Sequence, residues 1–111
     1  MNIEVTTENL LVQLGYPVKD ATVSQMERIV ANTKNFDKFA KHIISLNDEL
    51  KRFNAIVAMS NSNDYLKIKC DSKEEEEIAA FEDIVKHWSE KYKIELQKVD
   101  GKHTYYILGQ N

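Results

Sequence analysis

The sequence predicts an α+β fold in which three N-terminal helices precede a ββαββ unit carrying a four-stranded, mainly antiparallel sheet. Three observations predict it. Between Thr7 and Phe53 the apolar residues recur at steps of three and four, and from Ala55 the period drops to two. A helical pattern over 73–92 then separates two hairpin signals, the second carrying Asp100-Gly101 between alternating runs. Residues 1–111 read as one domain, 1–53 helical and 54–111 hairpin-helix-hairpin.

The first helix runs from about Thr7 to Leu14, with Thr6 or Thr7 as N-cap, Leu10, Leu11 and Leu14 on its apolar side, and Gly15 to end it. Tyr16-Pro17 turns the chain. A second helix is expected after Thr22, where Thr22-Val23-Ser24-Gln25 fits a capping box, and it stops near Asn32 to Asn35. The third covers about Phe36 to Phe53, capped by Asn35. Its residues Phe36, Phe39, Ile43, Leu46, Leu50 and Phe53 draw one apolar stripe. That stripe reads first as core, because it is short for a coiled coil; Phe39, Ile43, Leu46 and Leu50 are its candidate interface residues if two copies pair through it.

A two-residue turn at Ser62-Asn63 pairs Ser60 with Tyr65, Met59 with Leu66 and Val57 with Ile68. Ser72-Lys73-Glu74-Glu75 reads as a capping box, and Glu74 to Glu77 place negative charge at the positive end of the fourth helix. Ile78, Phe81, Val85, Trp88 and Tyr92 form that helix's apolar face, with Glu82, Asp83, Lys86, Glu90 and Lys91 opposite. Centring a type I′ turn on Asp100-Gly101 pairs Lys98 with His103, Leu96 with Tyr105 and Ile94 with Ile107. The helix over 73–92 then lies on the face of Val57, Met59, Leu66, Ile68, Ile94, Leu96, Tyr105 and Ile107. Strand order, and whether residues 1–53 cover the other face, do not follow from the pattern.

Composition removes several functions. The 111 residues hold 15 basic and 18 acidic side chains; residues 1–53 carry 7 of each, and residues 54–111 carry 8 basic against 11 acidic. Mild acidity argues against a duplex nucleic-acid binder, which needs concentrated positive charge. Three glycines and one proline leave no phosphate-binding loop or flexible linker. Cys70 has no partner for a disulfide or a zinc pair, and neither an apolar membrane-length run nor a signal-peptide pattern at Met1-Asn2-Ile3-Glu4 is present. A cytoplasmic protein without cofactor or metal is the expectation.

No catalytic set is visible. His42 should point to solvent beside the stripe, His87 flanks Trp88, and His103 fills the turn end of the last hairpin. Cys70 reads as a core-facing thiol. Binding has more support. The outer sheet face combines Tyr65 and Tyr106 with Lys67, Lys69 and Lys102, and aromatics beside lysines can stack bases and attract phosphates. A basic set on the helices, Lys34, Lys38, Lys41, His42, Lys51 and Arg52, admits a weaker helix-turn-helix reading. The first expectation is therefore a small non-enzymatic interaction or regulatory module that binds another protein or itself. The alternative is a single-strand nucleic-acid binder using the tyrosine and lysine face. No membrane partner is expected.

Overall fold

The computed structural model describes residues 6–60 and 63–110. Three helices come first: α1 (Thr7–Gln13), α2 (Asp20–Asn32) and α3 (Phe36–Leu50), the last extended by a 3-10 turn at Lys51–Phe53. Strands β1 (Ala55–Met59) and β2 (Leu66–Cys70), helix α4 (Glu75–Tyr92) and strands β3 (Ile94–Lys98) and β4 (Thr104–Gln110) follow. The α+β class and the ββαββ order are as predicted.

Local chemistry sets the helix ends, and three caps differ from expectation. Thr6 Oγ1 accepts from the Asn9 N–H at 3.1 Å and starts α1. Helix α2 begins at Asp20, not after Thr22: the Thr22 hydroxyl reaches back from the first turn and accepts from the Lys19 N–H at 3.0 Å. Asn35 does not cap α3. It takes a left-handed backbone, φ 57°, and its side-chain amide donates to the Gln110 carbonyl at 3.0 Å. Before α4, Ser72 Oγ accepts from the Glu74 N–H and donates to Glu77 at 2.6 Å, so the acidic partner is Glu77 rather than Glu75.

The sheet order is β1-β2-β4-β3, with every neighbouring pair antiparallel. The first hairpin has the predicted register, with Met59 opposite Leu66 and Val57 opposite Ile68, and the Ser60 N–H bonds the Tyr65 carbonyl at 3.1 Å. Of its turn, residues 61 and 62, including Ser62, lie outside the described residues, as does the Met1 to Glu4 start.

The last hairpin slips by two residues from the predicted pairing: Leu96 faces Ile107, not Tyr105, and Lys98 faces Tyr105, not His103. The turn explains the slip. A type I′ turn needs positive φ at both central residues; Gly101 has φ 73°, but Asp100 is not among the residues with positive φ. The Lys102 N–H instead bonds Val99 O at 3.2 Å, and the ladder opens with Val99 N–H to Thr104 O at 2.9 Å, leaving Asp100–His103 as a longer loop. A two-residue slip preserves pleat parity, so the paired residues from Leu96 to Lys98 and from Tyr105 to Ile107 keep their predicted faces. Beyond Leu96 a bulge at Leu108 resets the register to Glu95 opposite Gly109 and Ile94 opposite Gln110.

All four helices pack on one side of this sheet. The core is one cluster that joins Leu10, Leu11, Met26, Ile29, the stripe residues Phe36, Phe39, Ile43, Leu46 and Leu50, and Phe81, Val85 and Trp88 to Val57, Met59, Leu66, Ile68, Ile94 and Ile107, without Phe53. Phe39, Ile43, Leu46 and Leu50 are 0–1% exposed within the single chain. The stripe is core, so these four residues present no free interface. None of Ile56, Tyr65, Tyr106, Val99 or Leu108 belongs to the core or packs against it, and Ile56 is 39% exposed. No helix joins the core cluster from the second sheet face, which is partly open: Ala58 and Ser60 on it are 7% and 3% exposed, and Tyr65, Val99, Tyr106 and Leu108 are half-buried.

Two side chains from the helical segment close the outer edge of β1. The buried Asn47 Oδ1 accepts from the Val57 N–H at 2.9 Å, and Tyr16 Oη accepts from the Met59 N–H at 2.9 Å. These contacts occupy donors that would otherwise recruit another strand. The α2–α3 junction also binds the sheet: Lys34 forms a parallel bridge with Gly109, and its carbonyl accepts from the Gln110 N–H at 2.9 Å.

Candidate functional site

The partly open face is built by alternation on the two central strands. β2 contributes Tyr65, just before its first residue, then Lys67 and Lys69; β4 contributes Thr104 and Tyr106. Register brings them together, with Lys67 opposite Tyr106 and Lys69 opposite Thr104. The Tyr65 and Tyr106 rings lie 6.3 Å apart at 43°, one tilted aromatic plate rather than two separate stacks. Both tyrosines and both lysines are partly exposed.

Past this plate the face dips into a groove of about 330 Å³, lined among others by Lys67, Lys69, Lys102, Thr104, Tyr106 and Asp71. Lys102 reaches it from the β3–β4 loop, which the Cys70 N–H ties to β2 through the His103 carbonyl at 3.0 Å. Lys69 sits 3.7 Å from Asp71, whose side chain is 67% exposed, so that pair is weak. Three ammonium groups against one carboxylate leave the groove net positive. The structure therefore gathers all five sequence-predicted face residues, Tyr65, Lys67, Lys69, Lys102 and Tyr106, on one surface, and adds Thr104 and Asp71.

The helical side holds a polar cluster that pattern reading missed. Tyr105 donates a short hydrogen bond to Glu82, and His103 Nδ1 lies 3.2 Å from the other carboxylate oxygen. Burial, then the hydrogen bond to Glu82 and its charge, push the Tyr105 hydroxyl up to about 12. A phenol held protonated this firmly pins the last hairpin to α4 and is no base at neutral pH. The helical pattern puts Glu82 on the solvent side of its helix, and the hairpin pattern makes His103 turn filler. The available signal was Tyr105 itself, a core-facing tyrosine whose hydroxyl requires a partner.

His42 also departs from expectation. It is not directed to solvent but stacks on Tyr92 at 3.8 Å and 16°. Burial, then the charges of Lys41 and Lys91, lower its pKa and favour the neutral ring. Its carbonyl accepts from Trp88 Nε1 at 3.1 Å. His87 remains an exposed flank residue beside Asp83, and Cys70 is half-buried against the core, its thiol 3.7 Å from Phe53 O. The helix-turn-helix reading gains no support at its turn, where the exposed Lys34 is joined to β4 through its backbone. Lys38, Lys41, Lys51 and Arg52 are exposed, and Lys51 lies 3.4 Å from Asp48.

Among the described residues, no group of three or more His, Cys, Asp or Glu side chains is placed to hold a metal ion, and no helix is long and apolar enough to cross a membrane. Fold and face together define a helix-backed antiparallel sheet with a partly open aromatic and basic surface. Compared with models of known families, with characterised proteins and with solved structures, the chain matches none.

Proposed function

We propose that this protein is a non-enzymatic binding module whose partly open sheet face takes single-stranded nucleic acid. One observation carries the reading: Tyr65 and Tyr106 form an aromatic plate on the two central strands, beside Lys67, Lys69 and Lys102. Rings of this kind stack on bases of any identity, and the lysines attract the backbone. A flat sheet with few basic groups suits an unstacked strand better than a duplex groove. The lone thiol of Cys70 fits the cytoplasm as the setting.

The test is fluorescence anisotropy with a short mixed-sequence oligonucleotide at low salt. Tyr65→Ala and Tyr106→Ala should each weaken binding by about 1–3 kcal/mol, the worth of one stacked base, with circular dichroism unchanged. An acidic peptide that binds as tightly as the oligonucleotide would reduce the face to a general anion surface. No anisotropy change, and no NMR shifts on the sheet face, would sink the proposal.

A protein-binding role is the second reading, and the free edge of β3 favours it. Because Val99 bonds inward to Thr104, alternation turns the backbone groups of Leu96 and Lys98 outward, where another strand could add. Amide exchange at Leu96 and Lys98 that slows with rising protein concentration would mark self-association through this edge. Rates independent of concentration would remove it.

A further inference from the structure

The basic groove lies at one end of the aromatic plate, and its charge selects among phosphates. Lys67, Lys69 and Lys102 against Asp71 give a net charge near that needed to neutralise one phosphate monoester, which carries about −1.5 to −2 at neutral pH. An internal phosphodiester brings one negative charge and would leave an ammonium unmatched. Thr104, opposite Lys69, adds a hydroxyl that can donate to a phosphate oxygen.

The layout also gives the groove a direction. Lys69 and Thr104 lie two residues along their strands from Lys67 and Tyr106, an offset of about 6.6 Å that one extended nucleotide spans. Beyond them the track meets the β3–β4 loop, which the Cys70–His103 hydrogen bond holds against β2. A strand running from the tyrosines toward the lysines reaches that loop, and Lys102 on it, after about one nucleotide.

Resting on the nucleic-acid reading, we infer that this groove receives the terminal phosphate of a single strand, with the terminal base stacked on Tyr106. Lys102 closes over the phosphate from the loop, while Lys67 and Lys69 hold it from the sheet.

Anisotropy on one oligonucleotide prepared with a 5′-phosphate, a 3′-phosphate or hydroxyls at both ends tests this. One phosphorylated end should bind about tenfold tighter or more than the hydroxyl form, the gain from charge-assisted bonds to one added dianion. Lys102→Ala, in an exposed loop where folding is not at risk, should weaken binding of the phosphorylated form far more than that of the hydroxyl form and so remove most of that preference. Equal affinity for all three forms would overturn the terminal-phosphate site and leave the face reading standing. Binding by none of them would overturn both. Competition by a nucleoside monophosphate as strong as by the phosphorylated oligonucleotide would overturn the strand end as the occupant.

Discussion

Gly109→Ala should destabilise the fold more than the same change at Gly15, because Gly109 is where the α2–α3 junction meets β4. A Cβ at Gly109 would stand 2.7 Å from Lys34 Cβ and 2.8 Å from the Lys34 N and O atoms. Two of those three neighbours are backbone, so no side-chain rotation relieves the clash. The Lys34 segment must withdraw, losing its 3.4 Å bond to Leu108 O and the 2.9 Å bond from the Gln110 N–H. At about 1 kcal/mol for each bond and about 1–3 kcal/mol for a non-glycine residue at φ 148°, the cost is about 3–5 kcal/mol. That is a large share of a typical total of about 5–15 kcal/mol, and Tm should fall by roughly 12 °C or more. Gly15 also has positive φ, 87°, but nothing lies within 4 Å of its Cβ position, so it should lose only the backbone cost of about 1–2 kcal/mol. Urea unfolding followed by fluorescence of the single tryptophan, Trp88, measures both. Equal losses at the two glycines would refute the view that the Lys34 bridge fixes the helical segment to the sheet.

Asn47→Ala should cost about 1–3 kcal/mol by leaving the Val57 N–H without its acceptor, and amide exchange at Val57 should accelerate. Unchanged exchange there would mean that β1 is not sealed by this side chain. Tyr16→Phe should act in the same direction at Met59. Tyr105 gives a pH signature. Its folded pKa, pushed up to about 12, exceeds the ordinary 10.0, so between those values the unfolded chain loses a proton that the folded chain keeps. The stabilisation is therefore complete below pH 10 and is lost as pH rises toward about 12. Tyr105→Phe should flatten that part of the alkaline unfolding curve; an unaltered slope would show that the hydroxyl is not so held.

Much of the fold was legible because short-range rules agreed with one another. Helix existence, the ββαββ order and the face of each central strand residue follow from periodicity, which the core obeys from Leu10 to Ile107. The register of the last hairpin was not legible, because a two-residue slip leaves the apolar pattern intact and only the turn can decide it. Caps failed where a distant partner won, as Asn35 did in donating to Gln110, 75 residues away. Position of the helical segment was likewise non-local: an apolar stripe says that α3 is buried, but not against which face. The five face residues were recognised as a set, yet their openness rests on contacts such as Lys34 to Gly109 that no local pattern encodes. The Glu82, Tyr105 and His103 cluster escaped notice because its members lie on α4, on β4 and in the loop before it.

The net charge of −3 argues against a duplex nucleic-acid binder, and the arrangement of the charges shows why the objection carries less weight for a single strand. Charges act over a Debye length of about 8 Å at physiological ionic strength, whereas even the shortest dimension of the molecule is 26 Å. The acidic start of α4 belongs to the helical layer, so a ligand in the groove on the opposite sheet face meets Lys67, Lys69 and Lys102 with Asp71, while Glu95 lies two residues from Gln97 along β3. Three lysine contacts to a single strand give a slope of log affinity on log salt of about −2. Raising salt fourfold should then weaken binding roughly 15-fold. Removing Lys102 should bring the slope toward about −1.4, while removing Tyr106 should lower affinity and leave the slope unchanged. A slope near zero for the intact protein would separate the lysines from the ligand, and with them the electrostatic half of the proposed interface.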